Sequence, residues 1–149
     1  MKVVIQRVSE ASVKIEGAIV AQIKTGLLVL VGIENEDTEE DLQYLVSKII
    51  GLRIFNDENG VMNLSIQDVD GEICVVSQFT LHAATKKGNR PSYIKAAKAE
   101  VSIPLYETFL QKLSQELGKE IPSGQFGADM KVSLVNDGPV TILIDSKNK

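Results

Sequence analysis

Chemistry built on clustered cysteines or histidines is closed to this sequence, which has one cysteine, Cys74, and one histidine, His82, in 149 residues. A zinc centre takes three or four close-spaced Cys, His or carboxylate ligands, and no such set containing either residue is present. No metal and no cofactor is expected. A single cysteine also excludes an internal disulfide; inside the apolar run Ile73 to Val76 it reads as a small core residue, which fits a reducing compartment. A serine-histidine-acid relay would have to recruit His82 to a serine across space. No apolar stretch approaches the ~20 residues that a membrane-spanning helix needs, and Met1-Lys2-Val3-Val4-Ile5 lacks the apolar core of a signal peptide, so a cytoplasmic protein with no membrane partner is expected. There is no internal repeat, low-complexity segment or linker to divide the chain. One domain spanning residues 1–149 is therefore expected, long enough at 44% apolar content to bury a single core.

Basic charge is also in short supply. The net charge is -4, which excludes a wholesale basic nucleic-acid binder and leaves any polyanion to be met by a local patch. Such a patch is present: Lys86, Lys87, Arg90, Lys95 and Lys98 lie between Leu81 and Glu100 with no acidic residue among them. It follows a stretch of a different kind. Ile73-Cys74-Val75-Val76 is an apolar run rich in β-branched residues, the mark of a strand covered on both faces. Ser77, Gln78 and Thr80 then put two hydroxyls and an amide at its end. A buried strand that ends in uncharged polar groups and runs into a basic, Gly- and Pro-broken loop suggests a site for a polyanion, although a strand entering a solvated turn looks the same locally.

Along the rest of the chain, Lys2 to Ile15 reads as a long strand, and Glu16-Gly17 turns it into Ile19 to Ile23 as a hairpin. Lys24-Thr25-Gly26 is read as another turn, before the fully apolar strand Leu27 to Val31. Glu34 to Asp41 carries six acidic residues and Thr38, an N-cap with helix-favouring carboxylates ahead of the stripe Leu42, Leu45, Val46, Ile49 and Ile50. Leu52 to Phe55 starts a strand, Val61 to Val69 continues in short extended pieces, and Asp70-Gly71 turns the chain into the Ile73 strand. Ser102-Ile103-Pro104 reads as the start of a second helix, with Ser102 as N-cap and the stripe Leu105, Phe109, Leu113 and Leu117. Lys131 to Val135 and Val140 to Ile144 read as a hairpin about Asn136-Asp137-Gly138-Pro139, although proline after the turn is unusual because it cannot donate to a ladder. The apolar strands around Val29 and Val75 need cover on both sides, so the expected architecture is an α/β three-layer β/β/α sandwich: two packed mixed sheets with two main helices on one face.

Ser77-Gln78-Phe79-Thr80-Leu81 together with Asn136-Asp137-Gly138-Pro139-Val140-Thr141 resembles the pair of signature motifs of the D-aminoacyl-tRNA deacylase family. The likeness runs the whole length, through Gln6-Arg7-Val8, Gly26-Leu27-Leu28-Val29-Leu30, Arg53-Ile54-Phe55, Met62-Asn63-Leu64, Arg90-Pro91-Ser92 and Asp129-Met130. The resemblance implies hydrolysis of the ester joining a D-amino acid to tRNA, with mischarged glycyl-tRNA as a further substrate. It implies a homodimer in which a cis Gly138-Pro139 bond completes the partner's active site, its backbone carbonyls facing the side of the substrate where an L-residue's side chain would lie. Ser77, Gln78, Phe79 and Thr80 would carry catalysis; Arg7, Phe126, Met130, Asn136, Gly138 and Pro139 would bind substrate; Lys86, Lys87 and Arg90 would hold RNA. Arg7 would steady the Gly138 turn, against its plain reading as a surface strand arginine. Phe126 would be a platform for the terminal adenine, against its plain reading as a core residue.

Ester hydrolysis needs an activated water and a stabilised tetrahedral oxyanion, and the backbone N–H groups of Phe79 and Thr80 are the candidate donors. Thr80 as nucleophile would need a base that the sequence does not offer. Attack by water, helped by the substrate's own ribose hydroxyl, is the expectation. Two other classes compete: a non-catalytic RNA-binding module using the basic loop 82–98, and a general esterase using Ser77 or Thr80 with His82.

Overall fold

The computed structural model describes residues 1–149. Its spine is β1, Lys2–Ile15, whose two edges carry most of the sheet. Along one edge, β7 (Lys131–Asp145) pairs antiparallel from Lys2 opposite Asp145 to Lys14 opposite Lys131. Along the other, β3 (Gly26–Gly32) pairs with the first half of β1 and β2 (Ala18–Ile23) with the second. β6 (Glu72–Ser77) adds to β3 in parallel, with Val31 opposite Ser77 at its far end. A separate two-stranded ribbon joins β4 (Phe55–Asn56) and β5 (Met62–Leu64), so only the end of the expected Leu52 to Phe55 strand is extended.

Two features of the sheet differ from the sequence expectation. Lys24-Thr25 does not reverse the chain: β2 and β3 run in the same direction along β1, with Ala11 opposite Ile23 and Val8 opposite Gly26. Gly26 serves close approach here, because a Cβ on it would lie 1.8 Å from the Glu72 carbonyl oxygen of the neighbouring strand. Second, both β layers of the expected sandwich come from one curled five-stranded sheet. The period-2 alternation of β3 and β6 explains its two faces. Leu27, Val29, Val31, Ile73 and Val75 pack with helix residues in the larger core cluster, while Leu28, Cys74 and Val76 pack with Val8, Ala11, Val13, Ala21 and Ile23, where the sheet folds back over itself. The fold is thus mixed α/β in three layers, two of them from the same curled sheet.

The helices supply the third layer. α1, Glu39–Gly51, buries Leu42, Leu45, Val46, Ile49 and Ile50, and its start is held where the Thr38 N–H donates to Asp41 Oδ2 at 2.9 Å. α2, Ala99–Leu117, begins three residues before the expected Ser102 cap, with Lys98 at the cap position and Pro104 within the helix. Ser102 is buried, and its hydroxyl donates back to the Lys98 carbonyl at 2.9 Å, so it serves the first turn from inside. Pro104 is tolerated because it lies on the exposed face, where solvent replaces the lost N–H.

Charge locks the chain start to this layer. The Met1 ammonium pairs with Asp37, both fully buried, and donates to Ser146 Oγ at 2.8 Å. Next to this pair, burial pushes the Asp41 carboxyl up, but hydrogen bonds from Lys147 Nζ at 2.7 Å and from Thr38 win and hold it well below the usual carboxylate range. A depressed folded value means stability that is present above the unfolded carboxylate value and lost as pH falls through and below it. Asp41→Asn should therefore lower the unfolding midpoint at pH 7, and the gap to wild type should close as pH drops from about 4 toward 2. Thermal unfolding across that range checks this; a gap independent of pH would contradict the ionic origin.

Candidate active site

β6 stays buried through Val76 and then delivers Ser77 and Gln78 to the surface. The last rung is the Gln78 N–H donating to the Val31 carbonyl at 2.7 Å. A single 3-10 turn, Phe79–His82, follows, closed by the Leu81 N–H on the Gln78 carbonyl and the Ala83 N–H on the Thr80 carbonyl. Gly32 lets this turn lie on β3, since a Cβ there would come 2.9 Å from the Gln78 carbonyl oxygen and 3.0 Å from Leu81 Cβ. The N–H groups of Phe79 and Thr80 open the turn and, as at any helix start, find no partner within it.

These groups stand beside a cleft of about 230 Å³. One wall is Ser77, Gln78 and Phe79; the facing wall is Phe126, Gly127, Ala128 and Met130; Val31, Ile33, Ala97 and Ser102 lie between. Gln78 Nε2 donates to Thr80 Oγ1, which ties the amide to the turn. Behind the facing wall, the Tyr106 ring meets Phe126 at 5.8 Å between centroids, and its hydroxyl donates to the carbonyls of Val75 and Gly124, each at 3.4 Å. Burial pushes the Tyr106 phenol up to about 12, so it remains a donor and joins the strand that carries Ser77 to the loop that carries Phe126.

A second group lies apart from this cleft. β7 contains no hairpin: it is one strand whose register along β1 jumps from Thr141 opposite Gln6 to Asn136 opposite Val8, leaving Asp137 to Val140 outside the ladder as a wide bulge. Proline explains the extrusion, since Pro139 has no N–H to give to β1. The Gly138-Pro139 bond is cis. Asn136 spans the bulge, accepting the Val140 N–H at 2.9 Å on Oδ1 and donating to Thr141 Oγ1 at 3.1 Å. Arg7, read from sequence as a surface strand residue unless the resemblance held, is 7% exposed. Its Nε donates to the Asp137 carbonyl at 2.8 Å and its Nη1 to the Ile54 carbonyl at 2.8 Å, so the guanidinium pins the bulge to the segment leading into β4. Gly138 and Pro139 do not line their own chain's cleft.

The family model for D-Tyr-tRNA(Tyr) deacylase matches residues 4–145. The chain belongs to the D-Tyr-tRNA(Tyr) deacylase family. Curated relatives named D-aminoacyl-tRNA deacylase include one from Flavobacterium psychrophilum, 69% identical, and one from Phocaeicola vulgatus, 66% identical, each matched over 100% of this chain and 99% of its own length. Among solved structures, one titled c-Myc DNA Unwinding Element Binding Protein aligns with TM-score 0.91 at 42% identity, covering 97% of this chain and 98% of its own. A probable eukaryotic D-amino acid tRNA deacylase shares the fold, with TM-score 0.83 at 16% identity over 96% of this chain and 97% of its own.

In this deacylase-family chain the structure brings five residues named from sequence into one cleft: Ser77, Gln78, Phe79, Phe126 and Met130. Thr80 stands directly behind them through Gln78. Arg7, Asn136, Gly138 and Pro139 form the second group. Lys86, Lys87 and Arg90 are exposed on a loop closed at its base by the paired Ala84 and Ser92. The loop reaches the cleft through Tyr93, edge-on to Phe79 at 5.1 Å. The sequence reading had no role for Tyr106 and took Ser102 for a cap; the apolar stripe of α2 was a signal for the first, and nothing local marks the second as a cleft residue.

Two chemistries fall away. Burial pushes the Cys74 thiol up to about 11, which leaves it protonated and a poor nucleophile. His82 is buried at the end of the 3-10 turn and does not line the cleft, with Nδ1 3.7 Å from Glu34 Oε2 and Nε2 without a partner; it bonds to neither Ser77 nor Thr80. The general-esterase reading lacks its base.

Proposed function

We propose that this chain hydrolyses the ester bond of D-aminoacyl-tRNA, releasing free D-amino acid and tRNA, as a one-domain homodimer in the cytoplasm. The observation that carries this reading is the cleft lined by Ser77, Gln78, Phe79, Phe126 and Met130, at the turn that the amides of Phe79 and Thr80 open without a partner inside it. Those amides stabilise the oxyanion as water, oriented with the help of the ribose hydroxyl, attacks the ester carbonyl. Gln78 holds Thr80 and the turn in place, and the free hydroxyl of Ser77 contacts substrate. The step needs positioning and two donors, with no covalent intermediate on Thr80.

Chirality comes from the partner subunit. The bulge at Asp137 to Val140 stands away from its own cleft, and Arg7 and Asn136 hold it rigid, so it can enter a neighbour's cleft as a preformed wall. Its carbonyls meet an L-residue's side chain and leave room for a D-residue. Glycine has no side chain to strike the wall, so glycyl-tRNA should also be cleaved. The open edge of β7 supports the pairing of subunits: none of its 15 residues is buried, and Leu143 and Val135 are 75% and 49% exposed.

The basic loop contributes affinity for the tRNA body, because phosphate contacts position an RNA without reading what its end carries. Replacing Lys86 and Lys87 with Ala should weaken tRNA binding and flatten its salt dependence by about one to two units of slope, while the preference for D over L stays intact. Binding titrations at several salt concentrations check this; loss of chirality would place the loop in the pocket. The reading as a whole is tested by incubating the purified protein with D-tyrosyl-tRNA and measuring free D-tyrosine. Release supports the enzyme, and binding without release would instead favour a non-catalytic RNA-binding module.

A further inference from the structure

The rim of the cleft carries an apolar surface that the reaction proposed above does not use. Phe79, Tyr93 and Ile94 are 53%, 39% and 85% exposed, and the Phe79 and Tyr93 rings meet edge to face at 5.1 Å. Ile94 and Lys95 form the tip of a turn that the Ala96 N–H closes on the Tyr93 carbonyl at 3.0 Å, and the Ala97 N–H ties its end to the Ile33 carbonyl at 2.9 Å. Turn tips favour Gly, Pro, Asn, Asp or Ser; an isoleucine held outward there leaves apolar surface in water.

Charge identifies the occupant. The five cations of this segment, Lys86, Lys87, Arg90, Lys95 and Lys98, are exposed, and none pairs with a carboxylate. At the rim by Ala128, in contrast, the adjoining recess is lined by Lys14, Glu16, Asp129 and Lys131, and Lys131 is already paired with Asp129 at 3.1 Å. An unpaired strand of RNA needs cations for its phosphates and apolar surface for its bases, and of the two rims the one at Phe79 offers both. Glu34 and Glu36 stand beside Ile94 and Lys95 and bound this surface, which leaves the phosphates to the Lys86 to Arg90 side.

Resting on the deacylase reading, we propose that Tyr93 is a stacking platform for the penultimate base of the tRNA 3′ end, the nucleotide before the one that carries the ester. With the ester at the Phe79 and Thr80 amides, the terminal nucleotide occupies the cleft and the strand must leave over a rim. Phe79 lines the cleft and Tyr93 is the next ring outward, so it is the first stacking surface that the departing strand meets, with Ile94 continuing that surface beyond it. Every base has a π-face, so the platform adds affinity without reading sequence.

The test uses D-tyrosyl-tRNA with either a normal or an abasic penultimate nucleotide. Tyr93→Ala should raise KM for the normal substrate by about 5- to 50-fold with kcat little changed, and Tyr93→Phe, which keeps the ring, should stay near wild type. Wild type should show a similar rise on the abasic substrate, and the two losses should not add when combined, because each removes the same stack. The salt dependence of KM should be unchanged in Tyr93→Ala, since stacking releases no phosphate counterions. Unchanged KM in Tyr93→Ala, a loss in kcat in its place, a flattened salt dependence or additive losses would overturn the platform, while hydrolysis by wild type still upholds the deacylase reading. A Tyr93→Ala protein that sediments as a smaller species than wild type would make the patch a contact between subunits and overturn it as well. Absence of hydrolysis by wild type would overturn both.

Discussion

Gly138→Ala is expected to reduce hydrolysis of D-aminoacyl-tRNA by about 100-fold or more while leaving the chain folded. Gly138 sits at φ +134, a backbone region that side chains rarely adopt, and a Cβ there would lie 2.8 Å from Arg7 Nη2 and 2.9 Å from Val140 Cγ2. Either the guanidinium or the bulge must move, and the guanidinium is the group that fixes the bulge through the Asp137 carbonyl. The residue is exposed and pairing with β1 resumes on both sides of it, so the damage is confined to the bulge, the proposed wall. Mixing provides the control. A Gly138→Ala subunit has a sound cleft and a faulty wall; a Gln78→Ala subunit has the reverse. Unfolded and refolded together in equal amounts, they should recover about a quarter of wild-type activity, since half of the dimers are mixed and each of those has one complete site. Full activity in Gly138→Ala, or no recovery on mixing, would count against a site shared between subunits.

Asp37→Ala should be the most destabilising polar substitution in the chain, by about 3 to 5 kcal/mol, because it strands the Met1 ammonium in the core without a counter-charge. It also removes the acceptor that the Glu34 N–H reaches at 2.8 Å. For a chain of this size such a loss lowers the thermal midpoint by roughly 10 °C. Asp37→Asn, which keeps the shape and an acceptor but not the charge, should fall between. Calorimetry on the three proteins checks the order; equal midpoints would show that the pair is neutral.

How far these features were legible in the sequence depends on the range of the interactions that decide them. α1 was readable because its determinants lie within one turn of each other: Thr38, the acids after it and the stripe from Leu42 to Ile50. β6 was readable for a similar reason, as four apolar residues ending in Ser77 need no distant partner to be recognised. β7 was not. Asp137-Gly138 between two apolar runs is a local hairpin signal, and it was overruled by pairing with β1 on both sides of the bulge, more than 120 residues away in sequence. Arg7 carries no local sign that it is buried; its partners at Ile54 and Asp137 come from opposite parts of the chain. The single curled sheet was hidden for the same reason, because β2 and β3 look like separate strands until β1 aligns them end to end. Ser102 shows the reverse error: Ser-Ile-Pro is a sound helix-start signal, but α2 begins at Ala99 and moves the hydroxyl into the cleft wall.

Most depends on whether the cleft beside Ser77 cleaves the D-aminoacyl ester and excludes the L form. The direct measurement is the rate at which the purified wild-type protein deacylates D-tyrosyl-tRNA and L-tyrosyl-tRNA side by side, each corrected for spontaneous hydrolysis. The predicted result is rapid loss of the D ester with the L ester decaying no faster than in buffer; equal acceleration of both, or of neither, would contradict it.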